Sequence, residues 1–328
     1  MRIFSGIQPT GQKHLGNLIG AIDQYVAGQD RGEGLYCIVD LHATTVAYDP
    51  TELRARTYDT AAILLAAGLD PDRCVFFRQG DVIEHTELCW LLCSVTSWGD
   101  LNRMHQFKEK AGNERELVSA GLFFYPVLQA ADVLAYRANE VPVGDDQRQH
   151  IELMRDIAER FNSRFGDTLV VPEHRIPEVG ARIMDLQNPT MKMSTSSEGE
   201  QGRIHVLDDP AVILKKFRSA VTDSGSEVRR GEGKEGIANL IDILAAVKGT
   251  TPDAIEAEFA DSRYGDFKTA VAEAVIDRLA PLQARYTELR ADEDALEAAF
   301  KKGAEKAQVI ASATLADVRE AMGVGPRS

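Results

Sequence analysis

Three short segments of this chain place polar and charged side chains where they could serve a reaction. The first, residues 8–17, reads Gln-Pro-Thr-Gly-Gln-Lys-His-Leu-Gly-Asn and lies between a predicted strand and a predicted helix. Helix amides and the positive end of the helix dipole favour a phosphate at such a turn, and Gly16 lets the backbone approach a nucleotide closely. The chain has neither a GxGxxG nor a GxxxxGK[ST] motif, so dinucleotide and Walker-type phosphate binding are not encoded. His14 alone is weak evidence, because a lone histidine is usually structural.

The second segment, residues 121–136, is a predicted apolar helix with one polar stripe. Tyr125, Gln129 and Asp132 are spaced i, i+4 and i+7, so they share one helix face. Such a stripe can face water, which is the ordinary outcome, or it can line an apolar pocket that needs a few placed polar groups. The pattern leaves both interpretations open, because the other faces of the helix are almost wholly apolar.

Two loops complete the set of candidate positions. Residues 141–147 (Val-Pro-Val-Gly-Asp-Asp-Gln) lead into the next predicted helix, where Asp145 and Asp146 could hold a ligand or simply cap the helix. The third segment, residues 191–196 (Met-Lys-Met-Ser-Thr-Ser), sets Lys192 in a hydroxyl-rich loop that suits transient contact with phosphate oxygens. As a bare pattern, this loop is more often solvated than catalytic.

These segments need a scaffold, and the hydrophobic pattern predicts one. Strands are predicted at 2–7, 35–40, 74–77 and 182–184, and helices at about 16–27, 51–67, 84–97, 116–136 and 146–164. The alternating order favours a Rossmann-like, doubly wound parallel sheet, which binds ligands beyond the carboxyl ends of its strands. Helices alone are predicted after residue 205, at 209–221, 236–248, 252–260, 265–290 and 292–322. We therefore predict an α/β catalytic domain over 1–204 and an all-helical domain over 205–328.

Composition narrows the class of protein. The 328 residues are 44% hydrophobic and 27% charged, as in ordinary globular proteins. The chain has no apolar run of membrane-spanning length and no signal-peptide stretch, so we expect a cytoplasmic protein without a membrane segment. A net charge of −14 argues against nonspecific coating of nucleic acid but allows a local basic patch. Candidate patches are Lys215-Lys216 with Arg218, Arg229-Arg230, and Lys301-Lys302 with Lys306.

The four cysteines, Cys37, Cys74, Cys89 and Cys93, form no CxxC pair. Cys89 and Cys93 are four residues apart on a predicted helix, a spacing that could serve a metal. Buried free thiols in a reducing cytosol are the favoured interpretation, and we predict no metal held by the protein itself.

Taken together and in this order, the three segments resemble the class I aminoacyl-tRNA synthetases. Residues 14–17 (His-Leu-Gly-Asn) resemble the HIGH motif of that class in its HxGN form, and residues 192–196 (Lys-Met-Ser-Thr-Ser) resemble its KMSKS loop. Further stretches are similar to the bacterial, tryptophan-specific family of the class, namely residues 4–11, 38–43, 130–132, 143–147, 180–184 and 219–224. The resemblance implies a ligase that uses ATP to activate L-tryptophan and transfers it to the 2′-OH of the terminal adenosine of tRNA(Trp).

The resemblance also assigns roles to individual residues. An ATP site would comprise Gln8, Pro9, Thr10, Gly16, Asn17, Gly144, Asp145, Asp146, Ile183, Lys192, Met193, Ser194, Thr195 and Ser196, with Ile183 and Met193 beside the adenine. A tryptophan pocket would comprise Phe4, His42, Tyr125, Gln129, Asp132, Val143 and Gln147. Within it, Asp132 would accept the indole N–H, and Tyr125 and Gln147 would orient the amino group. The catalytic groups would be His14, Asn17, Lys192 and Ser194.

Adenylate formation needs cations and dipoles that are in place before negative charge develops. The resemblance implies that Mg²⁺ bound mainly through the phosphates, the helix end at Gly16, His14 and the Lys192 loop supply them. Two positions depart from the family pattern. Thr195 stands where KMSKS has its second lysine, so either Lys192 with Mg²⁺ suffices or Arg203 substitutes. Gln129 stands where some relatives have methionine, which should make the indole pocket more polar.

Three other functions compete with this interpretation. A tyrosyl-tRNA synthetase is disfavoured by the HxGN form of the motif, by residues 220–223 (Ala-Val-Thr-Asp) and by Asp132. A non-catalytic paralogue would suit Thr195 but not the retained His14 and Lys192, and a small-molecule nucleotidyltransferase does not need the helical C-terminal third. The resemblance further implies a homodimer whose interface lies in helices inserted at about 105–175, a tRNA that bridges the subunits, and anticodon reading by 205–328.

Overall fold

The structure is a computed structural model that describes residues 1–104, 118–144, 147–175, 182–194 and 199–325. The predicted ATP contacts Asp145, Asp146, Thr195 and Ser196 lie outside these described residues. The chain divides into two compact units. The first consists of Met1–Thr10, Tyr25–Ile176 and Asp292–Ser328, and the second consists of Gly11–Gln24 and Pro177–Ala291.

The first unit is built on a parallel sheet. Its strands in the described residues are β1 (Arg2–Ile7), β2 (Glu33–Ile38), β3 (Val75–Arg78), β4 (Glu140–Pro142) and β5 (Glu173–Arg175), arranged in the order β3-β2-β1-β4-β5. The chain runs outward from β1 to β3 and then returns to the other side of β1, as in a doubly wound sheet. The predicted α/β fold class is therefore confirmed.

The strands show which local patterns could be predicted. The buried apolar run of β2 was expected of a strand covered on both faces, and the bounds of β1 agree with the prediction. Strands β4 and β5 were not predicted, because each has three residues, which are too few to show a periodic pattern. The strand predicted at 182–184 is only an isolated bridge between Met184 and Lys192.

Helices surround the sheet and form much of the second unit. In chain order, those of the described residues are α1 (Leu15–Asn17), α2 (Asp23–Gly28), α3 (Asp40–Ala43), α4 (Pro50–Ala66), α5 (Glu84–Leu92), α6 (Trp98–Arg103), α7 (Ala120–Leu134), α8 (Arg148–Phe165), α9 (Pro210–Arg218), α10 (Glu235–Lys248), α11 (Pro252–Glu258), α12 (Tyr264–Arg290) and α13 (Glu293–Met322). A π-helical turn, Leu18–Ile22, joins α1 to α2. Within the described residues, no helix combines the length and the apolar character that a bilayer crossing requires.

The core of the first unit lies between the sheet and helices α5, α7, α8 and α13. It contains Phe4 of β1, Leu35 of β2, Leu88 of α5 and Ala307 of α13, all buried. Ser119 starts α7, since its hydroxyl accepts a hydrogen bond from the amide of Leu122 at 3.1 Å. This cap fixes the beginning of the helix that carries the polar stripe.

The final helix does not follow the predicted domain division. Helix α13 packs on β3 in the first unit, and Gly303 is the point of closest approach. A Cβ at Gly303 would lie 1.6 Å from the carbonyl oxygen of Phe76, so no larger residue fits there without movement. The compact units and the predicted domains 1–204 and 205–328 therefore do not coincide, and the functional division stays a prediction. A helical pattern does not reveal which partner the helix packs against.

We expect Gly303→Ala to lower the free energy of unfolding by about 1–3 kcal/mol, because the added methyl overpacks the contact with Phe76. Gly265→Ala in α12 is the matched control. A Cβ at Gly265 meets no atom within 4 Å, so alanine should be neutral or raise stability by up to about 1 kcal/mol. Urea unfolding of both variants measures the difference. An unfolding midpoint of Gly303→Ala equal to that of the wild type would contradict the packing argument.

Candidate functional site

In the first unit, the carboxylate of Asp132 is the centre of a buried hydrogen-bond network. Gln79 Nε2 donates to Asp132 Oδ1 at 2.6 Å, and His85 Nδ1 lies 2.6 Å from the same oxygen. His42 Nε2 lies 2.7 Å from Asp132 Oδ2. Tyr136 extends the network, because its hydroxyl lies 2.6 Å from His85 Nε2. We call these five residues the Asp132 network.

The fold explains why these residues meet. His42 lies in α3 directly after β2, and Gln79 directly follows β3, so both come from the carboxyl ends of parallel strands. His85 lies in the first turn of α5. Asp132 lies in α7, and Tyr136 follows one turn later on the same face. The network thus occupies the edge of the sheet where doubly wound folds bind ligands.

Asp132 is ionised in this environment. Burial by itself raises the pKa of Asp132, but the electrostatic attraction and hydrogen bonds that His42 and His85 offer to the carboxylate together hold this pKa well below its usual range. An ionised carboxylate only accepts hydrogen bonds, so His85 Nδ1 and His42 Nε2 must each carry a proton. Burial raises the pKa of Tyr136 well above its usual value, so its hydroxyl is protonated and can donate to His85 Nε2.

The polar stripe of α7 faces the interior rather than water. Asp132 is 2% exposed and Tyr125 is 6% exposed, which excludes the water-facing interpretation. Tyr125 has a hydroxyl 2.9 Å from His150 Nε2. Gln129 is half-buried, and its Nε2 donates to Gln147 Oε1 at 3.3 Å. The stripe is therefore a set of polar groups that are hydrogen-bonded inside the first unit.

The other predicted pocket residues take different positions in the first unit. His42 belongs to the Asp132 network. Phe4 is buried and stacks on Tyr136, with ring centroids 5.5 Å apart. Val143 is partly buried against the same core.

In the second unit, His14 organises the turn predicted to bind a nucleotide. Its Nδ1 accepts a hydrogen bond from the amide of Asn17 at 3.2 Å, while Asn17 Oδ1 accepts one from the amide of His14 at 3.1 Å. This reciprocal capping box starts α1. Gly16 is required beside it, because a Cβ there would lie 3.0 Å from His14 Nδ1.

His14 is not a cation. Burial and then the positive charges of His205, Lys13, Lys192 and Arg203 lower the pKa of His14 to about 3. The ring is therefore neutral at pH 7, and because Nδ1 accepts from Asn17, its proton lies on Nε2. Of the cations and dipoles expected from the sequence, His14 can serve only as a dipole that donates one N–H.

The turn and the lysine-bearing loop pack together within the second unit. A Cβ at Gly16 would lie 3.7 Å from Ile183 Cβ. Ile183 in turn accepts a backbone hydrogen bond from Met193 at 2.9 Å, and both side chains are buried. Lys192 is exposed beside them. The predicted residues His14, Gly16, Asn17, Ile183, Lys192, Met193 and Ser194 are thus brought together.

Arg203 lies beside this loop. Its Nη1 donates to the carbonyl oxygen of Ser194 at 3.4 Å, and its guanidinium also pairs with Glu200. His205 pairs with the other oxygen of Glu200 at 2.9 Å. Arg203 is 7% exposed, so it is packed against the loop rather than extended into solvent.

The remaining predictions from sequence have mixed outcomes. Gln8 and Thr10 are exposed, Pro9 is buried, and Gly144 and Gln147 are partly buried. All four cysteines are free thiols, of which Cys37 and Cys74 are buried and Cys89 and Cys93 are half-buried. Half of the residues in the basic patches pair with carboxylates: Lys216 with Asp208, Arg229 with Glu227, Arg230 with Glu256, and Lys302 with Asp72. Lys215, Arg218, Lys301 and Lys306 are exposed.

Three members of the Asp132 network were not predicted from the sequence. Tyr136 continues the helical stripe at i+4 from Asp132, so the periodicity could have indicated it. Gln79 follows a predicted strand, where the location rule for doubly wound sheets also applies. His85 gave no local signal, because its contact with Asp132 joins residues 47 positions apart.

Comparisons with known proteins agree with this geometry. The family described as tRNA synthetases class I (W and Y) matches residues 1–280. The tryptophan--tRNA ligase of Mycobacterium leprae is 50% identical over 333 residues, which cover 99% of this chain and 97% of that protein. The structure of tryptophanyl-tRNA synthetase from Mycoplasma pneumoniae superposes with a TM-score of 0.93 at 34% identity, covering 99% of this chain and 98% of that one.

A second similar structure is that of a complex with ligands. It is the tryptophanyl-tRNA synthetase from Campylobacter jejuni complexed with ADP and tryptophane, with a TM-score of 0.83, 33% identity, and coverage of 99% of this chain and 100% of that one. The matches extend over both motif segments and over nearly the full length of each relative. The chain therefore belongs to the bacterial tryptophanyl-tRNA synthetases, a family of class I aminoacyl-tRNA synthetases.

Proposed function

We propose that this chain is an ATP-dependent tryptophan–tRNA ligase. It activates L-tryptophan as the adenylate with release of pyrophosphate and then transfers tryptophan to the 2′-OH of the terminal adenosine of tRNA(Trp). The observation that carries the proposal is the packing of the HxGN turn against the lysine-bearing loop, joined through Gly16, Ile183 and Met193. This arrangement surrounds a neutral His14 with cations, which is the chemistry that a triphosphate needs.

In the second unit we assign ATP contacts to Gly16, Asn17, Ile183, Lys192, Met193 and Ser194. Three cations, Lys13, Lys192 and Arg203, each lower the pKa of His14, so their positive charges act at one place and favour a polyanion there. The packing of Ile183 and Met193 supports their role beside the adenine. In the first unit, Gln8, Pro9, Thr10 and Gly144 keep their predicted ATP role, as do Asp145, Asp146, Thr195 and Ser196 outside the described residues.

Adenylate formation is an in-line displacement in which the tryptophan carboxylate attacks the α-phosphorus and pyrophosphate leaves. The residues stabilise the charge that develops on the phosphate oxygens. His14 donates Nε2–H to a phosphate oxygen, Asn17 keeps the imidazole oriented through the capping box, and Lys192 supplies a positive charge. Each such contact lowers the activation free energy by on the order of 3 kcal/mol. Arg203 holds the carbonyl of Ser194 and thereby the loop that contains Lys192.

The reaction would also use Mg²⁺, and the donor set fits a metal bound through phosphates. Within the described residues, no three His, Cys, Asp or Glu side chains form a group that could hold a metal ion. The groups around His14 are mostly cations, which bind phosphate rather than metal. When bound, Mg²⁺ would neutralise charge on the triphosphate.

Tryptophan recognition is assigned to the pocket wall of α7. Asp132 accepts the indole N–H, and Tyr125 and Gln147 orient the amino group. A buried, ionised acceptor favours a ligand that can satisfy it and rejects one that cannot. Gln129 and Gln147 form a polar pair at this wall, which supports a pocket more polar than one with methionine at position 129.

We assign tRNA contacts to the helical segment 205–328, which reads the anticodon. The exposed cations Lys215, Arg218, Lys301 and Lys306 are candidates for backbone contacts, because their neighbours Lys216 and Lys302 are already neutralised by carboxylates. The predicted compartment is the cytoplasm.

We also propose that the protein is a homodimer with an interface that includes an exposed aromatic patch of the first unit. Trp90 is 76% exposed, Trp98 is 69% exposed and Phe124 is 44% exposed. Between ring centroids, Trp98 lies 6.3 Å from Phe123, and Phe123 lies 5.5 Å from Phe124, so these three aromatic side chains are neighbours. Exposed apolar patches of this kind mark interaction surfaces, and Phe124 lies in the segment predicted as the interface.

The proposed activity predicts ATP–pyrophosphate exchange that depends on tryptophan. With tryptophan, tyrosine and phenylalanine compared at equal concentration, kcat/KM for tryptophan should exceed the others by roughly 10⁴-fold, because only indole offers its N–H to Asp132. Preference for tyrosine would indicate the tyrosyl enzyme, and no exchange with any amino acid would indicate a non-catalytic paralogue.

The neutral state of His14 predicts a pH profile. His14→Asn keeps an N-cap acceptor but loses Nε2–H, so we expect kcat for exchange to fall by about 10²–10³-fold. Because the pKa of His14 is about 3, the acid limb between pH 5.5 and 7.5 should have the same shape in both proteins. The exposed His174→Asn serves as control and should change neither quantity. If the wild-type pH profile had an acid limb near pH 6.5 that only His14→Asn lost, this would show that His14 titrates in this range.

The dimer proposal predicts that Trp98→Asp yields monomers, because a charge at the buried centre of an interface has no partner. Sedimentation velocity measures the result. Val309→Asp is the matched control, because Val309 is 73% exposed on α13 and should leave the wild-type dimer intact. A Trp98→Asp protein that sediments as the wild type does would remove this patch from the interface.

A further inference from the structure

The two carboxylate oxygens of Asp132 are not equivalent. Oδ1 accepts from both Gln79 Nε2 and His85 Nδ1, each at 2.6 Å, and this uses its two lone pairs. Among the residues that the structure describes, only His42 Nε2 donates to Oδ2, at 2.7 Å. One acceptor position therefore remains, and it lies on Oδ2.

The contacts of Oδ1 are themselves fixed from behind. His85 is fully buried, and its Nε2 receives the hydroxyl of Tyr136 at 2.6 Å. The Tyr136 ring is buried between aromatic side chains, stacked on Phe4 at 5.5 Å and in edge contact with Phe77 at 5.6 Å. Gln79 is also fully buried, and its Oε1 accepts from the amide of Leu41 at 3.1 Å. Neither donor can rotate without breaking a second hydrogen bond.

We propose that Gln79, His85 and Tyr136 are positioning residues that hold Oδ1 of Asp132, so that Oδ2 is left as the acceptor for the indole N–H. The inference rests on the proposed function and names the residues behind its specificity. Without them the carboxylate can rotate, and the bond that distinguishes indole from an isosteric ring without N–H is weakened. Tyr136 acts without touching the amino acid.

The test compares two substrates in ATP–pyrophosphate exchange. The substrates are tryptophan and β-(3-benzothienyl)alanine, in which sulfur replaces the indole N–H. Tyr136→Phe keeps the aromatic stack and removes only the hydroxyl. We expect kcat/KM for tryptophan to fall roughly tenfold, that for the benzothienyl analogue to change little, and KM for ATP to stay constant. If the role of Tyr136 were purely structural, the substitution would lower kcat/KM for both substrates by the same factor.

Two further comparisons keep the proposal testable if Tyr136→Phe folds poorly. His85→Leu removes the donor to Oδ1 and should lose the same discrimination, whereas His85→Asn offers an amide N–H in the place of Nδ1 and should restore part of it. Tyr25→Phe is the matched control, because the Tyr25 hydroxyl donates to the carbonyl oxygen of Gly6 at 3.2 Å and not to a member of the Asp132 network. Tyr25→Phe should leave the ratio of kcat/KM for tryptophan to kcat/KM for the benzothienyl analogue unchanged.

Asp132→Ala gives the reference point, since it should raise KM for tryptophan far more than KM for ATP. The wild type should be active and should discriminate between the two substrates. If Tyr136→Phe and His85→Leu then both keep the wild-type ratio of kcat/KM values, the positioning role is overturned, but the proposed function is not. A wild type without tryptophan-dependent exchange would instead contradict the proposed function.

Discussion

The buried carboxylate of Asp132 is the constraint on which the interior of the first unit depends. An ionised group without water is stable only when hydrogen-bond donors replace the solvent. Three N–H donors do so, and each comes from a different element: the 3₁₀ turn after β3, helix α3 after β2, and the first turn of α5. The strand order places the ends of β2 and β3 side by side. This arrangement therefore also allows the apolar helix α7 to contain a buried charge. The proposed recognition of tryptophan uses the same contacts that stabilise this buried charge.

A different requirement governs the second unit, where positive charge collects around one neutral ring. Lys13, Lys192, Arg203 and His205 all act on His14, and together with burial they keep it from protonating. The imidazole is thus a capping group that fixes a backbone turn and presents a single N–H. Glu200 pairs with two members of this group, Arg203 and His205. Such a cluster is suited to an anion with several charges, and it explains how an acidic chain can still bind nucleotide locally.

Helix α13 shows how packing can set an arrangement that composition does not reveal. It belongs by pattern to a run of helices, yet it lies on β3 of the first unit because Gly303 permits contact with the backbone at Phe76. Arg78 at the end of β3 pairs with Glu297 at 2.9 Å, and Glu87 of α5 pairs with Arg319 at 2.8 Å. The helix is therefore tied to the elements that carry Gln79 and His85.

The sequence by itself determined the α/β class, the positions of the longer elements, and the family to which the HxGN turn and the lysine-bearing loop belong. These features are local, since β2 and α7 are specified by the periodicity of their own residues. It could not determine whether Tyr125 and Asp132 face water, that His14 is neutral, or that Gln79, His85 and Tyr136 surround Asp132. Only the tertiary structure decided these points, because burial, charge state and hydrogen bonding depend on residues that are far apart in the chain and become neighbours through the order of the strands.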